Sequence, residues 1–152
     1  LCLTQSPEGR VWLCTEDGLY VFDGFHVRHE PLPEQAGVRL REIVADRHGG
    51  LWIASERGLW RRSPPKSTGA EWSEVRGTDG KPVMVRGQGR MDLDAFGALH
   101  LIDEGRRVLT VTEVAGAAPS LVARADPALS GAVADASRTE SALKVSCCRY
   151  AV

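Results

Sequence analysis

Asp46-Arg47-His48-Gly49-Gly50-Leu51-Trp52-Ile53-Ala54-Ser55-Glu56-Arg57-Gly58-Leu59-Trp60 reads as turn, strand, turn, strand. The run 51–55 is short, apolar and bounded by glycine-bearing turns, which is a strand signature. Gly49 permits the positive φ of a hairpin turn. Asp46 caps that turn by accepting hydrogen bonds from backbone N–H groups two residues on. Glu56-Arg57-Gly58 forms the next turn, and Leu59-Trp60 opens the hairpin partner. The acidic residues therefore read as turn formers. A calcium site would need about six oxygens from one convergent loop.

The same string stands forty residues earlier. Gly9 matches Gly49, Trp12 matches Trp52, Gly18 matches Gly58, and Leu3 matches Ile43 upstream of both. A weaker third copy at 93–105 keeps Asp94 and Gly97, puts His100 where the others have Trp, and is one residue shorter before Gly105. A fourth start lies at 132–137, after which the pattern dissolves. Measured at Ser6, Asp46, Asp94 and Asp135, the spacings are 40, 48 and 41.

A period of about 40–50 residues with four strands per unit is that of β-propeller blades. The segments 11–15, 18–22 and 25–30 supply three strands of the first unit, and 41–45 opens the next. The expectation is an all-β chain: a β-propeller fragment of about three to four four-stranded antiparallel blades. The units fall near 1–38, 39–86 and 87–114. The stretch 115–152, broken by Pro119 and Pro127, reads as a diverged, incomplete or irregular blade. Gly9, Trp12, Gly18, Asp46, Gly49, Trp52, Gly58, Trp60, Asp94 and Gly97 make up the structural motif. A tryptophan repeated in register, burying about 200 Å², is expected to pack between neighbouring sheets. The other reading is a platform for stacking sugars.

The string Asp46…Gly49-Gly50-Leu51-Trp52-Ile53-Ala54-Ser55-Glu56-Arg57-Gly58-Leu59-Trp60, with its copy from Gly9 to Gly24, resembles the two-component regulator propeller repeat. The likeness is specific over 1–62 and weaker over 87–112. Such repeats build extracytoplasmic sensor regions of bacterial hybrid two-component histidine kinases or diguanylate cyclases. These usually hold two seven-bladed propellers, a β-sandwich, a membrane helix and a cytoplasmic output domain. The resemblance implies a non-catalytic, ligand-sensing segment of a periplasmic receptor region, with a glycan or other small extracellular ligand. Three to four units are too few to close a seven-bladed ring. The implied partners are therefore missing blades or a second copy of the chain.

Composition narrows the remaining chemistry. Nineteen basic and twenty acidic residues leave a net charge of −1, so nothing favours nucleic acid or an anionic membrane. No apolar run reaches membrane-spanning length. His26, His29, His48 and His100 are scattered, no phosphate loop is present, and no cofactor or metal is expected. Cys2, Cys14, Cys147 and Cys148 match no zinc or redox spacing and read as free or incidental thiols. A ligand is expected where innermost strands begin, around Arg39, Arg41, Arg86, Gln88 and Arg90, whose guanidinium groups suit carboxylates or sulfated sugars. The alternatives are a propeller enzyme of lyase or glycosidase type and a propeller used only for protein–protein contact.

Overall fold

The computed structural model describes residues 1–64, 71–85, 91–114 and 120–127. These residues form twelve strands and, at Glu34–Ala36, a single turn of 3-10 helix. Strands β1 (Cys2–Gln5), β2 (Val11–Thr15), β3 (Gly18–Phe22) and β4 (Val27–Glu30) make an antiparallel meander. Strands β5 (Leu40–Ala45), β6 (Leu51–Ser55), β7 (Gly58–Arg62) and β8 (Trp72–Gly77) make a second. Strands β9 (Met91–Leu93), β10 (Leu99–Ile102), β11 (Val108–Val114) and β12 (Ser120–Ala125) make a third. The third unit thus draws its last strand from beyond residue 114.

One turn recurs through all three units. Ser6 N–H donates to the Arg10 carbonyl and Gly9 N–H to the Ser6 carbonyl, both at 2.9 Å. The same pair of bonds starts at Asp46, Gly77, Asp94 and Asp103. Its fourth residue must adopt positive φ, which glycine does without a Cβ clash. Gly9, Gly49, Gly80 and Gly97 do so at 84°, 82°, 76° and 88°. In the fifth copy Arg106 takes that place at 63°. Gly105, aligned in the sequence with Gly18 and Gly58, lies inside this turn, and the following strand starts at Val108.

The units do not remain separate sheets. β8 and β12 pair in parallel, with Val75 opposite Leu121 and Gly77 opposite Ala123. The second and third units thereby join into one sheet ordered β5-β6-β7-β8-β12-β11-β10-β9. The sheet curls until its end strands β5 and β9 lie close together, giving a nearly closed, barrel-like shape. An outermost strand has a row of unpaired N–H and C=O groups, and pairing β8 with β12 lets two such edges satisfy each other.

Strand alternation sends side chains into two cores. β6 is buried on both faces. Leu51 and Ile53 meet Trp12, Cys14, Leu19 and Val21 of the first unit, with Trp60 alongside. Trp52 and Ala54 face the other way, toward Met91, Leu99 and Leu101 of the third unit. Trp12, Trp52 and Trp60 are 3%, 4% and 7% exposed. Indoles so deep between sheets leave no free ring face for a sugar.

The cysteine expectation needs one correction. The turn that sets Gln5 opposite Val11 also sets Cys2 opposite Cys14, and these two form a disulfide across a Cα separation of 5.0 Å. They are not free thiols. Cys147 and Cys148 lie outside the described residues.

Candidate ligand-binding cleft

The first strands of the three units, β1, β5 and β9, run near one another, and the turns that follow them converge. Thr4 Oγ1 accepts from Ala45 N–H at 3.3 Å, tying β1 to β5. Between these ends lies a cleft of about 780 Å³, lined by Thr4, Ser6, Asp46, Arg47, Asp92 and Asp94 among others. Ser6, Asp46 and Asp94 hold the same repeat position, so each unit sends the same element to one place.

The carboxylates are set by their own turns. Asp46 Oδ1 accepts from His48 N–H and Gly50 N–H, both at 2.8 Å, and its Oδ2 is 3.6 Å from Arg61 Nη2. Asp94 Oδ1 accepts from Phe96 N–H at 2.8 Å and Ala98 N–H at 2.9 Å. Its Oδ2 lies 3.1 Å from His100 Nε2. The His100 contact, with those backbone N–H groups, holds the Asp94 carboxyl below the usual carboxylate range. Asp92 is exposed, and its Oδ1 accepts from Leu93 N–H at 2.8 Å. Arg47 bridges two units by donating to the carbonyls of Ala95 at 3.2 Å and Phe96 at 2.9 Å. Its guanidinium is thus committed to the cleft rim, and the lining presents acceptors.

His100 stands where the other units carry tryptophan. Its Nδ1 lies 2.9 Å from Thr110 Oγ1, completing a chain Asp94–His100–Thr110. If Nε2 donates to Asp94, Nδ1 accepts from the threonine hydroxyl. A hydroxyl bonded to an imidazole is one half of a nucleophile–base pair. No group of three or more His, Cys, Asp or Glu suited to a metal occurs among the described residues.

Two of the arginines singled out in the sequence, Arg39 and Arg41, lie elsewhere. Arg41, at the start of β5, donates to the Val85 carbonyl at 3.1 Å and sits 3.7 Å from Glu104. It fastens the second unit to the third. Arg39 is exposed just before β5, and its carbonyl accepts from Glu56 N–H at 3.0 Å. Arg86, Gln88 and Arg90 lie outside the described residues. Sequence reasoning looked to the beginnings of the first strands, whereas the convergent cleft forms at their ends. The signal was available in the repeat itself, because residues at matched offsets from Ser6, Asp46 and Asp94 had to share one end of the assembly.

A family-model scan, a search of curated proteins and a search of solved structures each return no match to this chain.

Proposed function

We propose that this chain is a non-catalytic ligand-binding segment of a β-propeller of the two-component regulator type, acting in the extracytoplasmic sensor region of a bacterial receptor. The observation that carries the reading is the convergence of three repeat-equivalent turns on one cleft. Loops brought together from separate units on a rigid scaffold are a common way to build a binding site. A lining of carboxylates and backbone carbonyls suits a polyhydroxylated ligand, whose hydroxyl groups donate. The Cys2–Cys14 disulfide supports an oxidising compartment.

A thermal-shift series with neutral and amino-sugar oligosaccharides tests this. A ligand at a hundredfold excess over its dissociation constant stabilises the native state by about 2.7 kcal/mol. Asp92→Arg, on an exposed side chain at the rim, should abolish that shift without lowering the melting temperature of the free chain. If no oligosaccharide moves the transition, ligand sensing at this cleft is wrong.

A second reading, a module for protein–protein contact, is favoured by the apolar side chains that the first unit leaves exposed at Leu3, Phe25 and Val27.

A further inference from the structure

A second cleft opens at the opposite end of the eight-stranded sheet from the first, where β8 and β12 end and β5 begins. Along the β8–β12 seam the paired residues shrink toward that end. Val75 lies opposite Leu121, and two residues on Gly77 lies opposite Ala123, with Ala125 beyond. Gly77 has no side chain and each alanine only a methyl group, so the space above them stays open. It amounts to about 360 Å³. Val83, Leu109 and Ala123 are buried beneath it and make its floor apolar.

Two copies of one turn form the walls. Across 77–81 the Gly77 N–H donates to the Lys81 carbonyl, and across 103–107 the Asp103 N–H donates to the Arg107 carbonyl. Each turn thus closes on a cation, and Lys81 and Arg107 both line the cleft. The buried Asp103 carboxylate accepts from Arg107 N–H at 2.8 Å, and its Oδ2 lies 2.9 Å from Arg107 Nε and 2.7 Å from Nη2. A guanidinium fixed in this way has already given up its rotamer freedom, yet 65% of the side chain remains exposed. Lys81 is 80% exposed, with Nζ 4.0 Å from Asp79 Oδ2.

We propose that this cleft binds a small monocarboxylate with a short apolar tail. The tail lies on Val83, Leu109 and the two alanines, and the carboxylate accepts hydrogen bonds from Lys81 and Arg107. Asp79 and Glu104 stand on the same rim, so a polyanion would meet like charge. A polyol would bury hydroxyl groups against an apolar floor. The first cleft offers acceptors to a ligand that donates, whereas this one offers cations above apolar side chains. The two sites lie at opposite ends of the sheet, so either fails without the other.

Titration of the isotope-labelled chain with sodium hexanoate, followed by amide NMR at constant ionic strength, tests this. The amides of 77–81 and 103–107 should shift and saturate, while those of Asp94 and Phe96 stay still. Ala125→Trp fills the mouth of the cleft and should weaken binding about tenfold. Lys81→Glu should weaken it by about the same factor, because it sets a carboxylate against the ligand's own. Both positions are exposed, so neither change disturbs the core. Hexylamine at equal concentration should move none of these amides. The proposal is overturned by hexanoate shifts that never saturate, by undiminished binding in either variant, or by hexylamine moving the same amides.

Discussion

The guanidinium of Arg62 lies 5.1 Å from the ring centroid of Trp12, a residue of the neighbouring unit. The same side chain bonds Glu30 of that unit, Nη2 to Oε1 at 2.7 Å and Nε to Oε1 at 2.9 Å. One arginine thus seals the first interface by stacking and by charge. The Arg62 side chain is only 9% exposed, and the Glu30 carboxylate beside it balances its positive charge.

Glu30→Gln should therefore cost about 3 kcal/mol, the order seen when one partner of a buried ion pair is lost. Arg62→Met in the same chain should recover most of it, since the unpaired charge disappears. Urea titrations of the two single variants and the double variant measure this coupling. Additive losses would show that the pair does not interact.

Trp52→Ala should cost about 3–5 kcal/mol, because the indole fills the space between the second and third units and the sheets cannot fully close over the void. Far-UV circular dichroism against temperature reads the loss. A variant as stable as the parent would show that Trp52 is not a packing wedge.

Arg106→Gly should stabilise the chain. Arg106 stands at φ 63°, where four sister turns use glycine. A side chain in the left-handed region costs about 1–2 kcal/mol, and the extra freedom of glycine in the unfolded chain returns about 0.4–1 kcal/mol of that. The expected net gain is about 0.5–1 kcal/mol. A lower unfolding midpoint in urea would contradict it.

Acid should weaken the fold partly through Asp94. Its carboxyl is held low first by His100 and then by the Ala98 and Phe96 N–H groups. A carboxyl more acidic in the folded than in the unfolded chain stabilises the fold at pH above the unfolded value. That contribution is lost as pH falls through the lower folded value. Asp23, held low by the N–H groups of His26 and Phe25, acts in the same direction. Asp94→Asn should flatten the acid limb of melting temperature against pH. An acid limb as steep as the parent's would remove Asp94 from the account.

Much of the local structure was legible. The repeat carried the turn at Gly9 and Gly49, the capping role of Asp46 and Asp94, and the burial of Trp12 and Trp52. These are encoded by residues next to the features they produce. The parallel pairing of β8 with β12 was not legible, because an edge strand carries no local mark of its partner. The Cys2–Cys14 bond was within reach. A turn that sets 5 against 11 must set 2 against 14, but spacing rules for metal and redox motifs do not test strand register. The ligand site read from the sequence centred on the starts of the first strands, where Arg41 fastens the second unit to the third, and the convergent cleft lies at their other ends.

The β8–β12 pair has a consequence for how the chain comes apart. Stacked repeats usually fray one at a time, since each touches only its neighbours. Here two of them share a continuous backbone ladder, with Val75 held by β7 on one side and β12 on the other. Releasing one costs the other its edge bonds, so they open together as a single cooperative block. The first unit, attached through side chains and the Thr4–Ala45 bond, is the part that can peel away first.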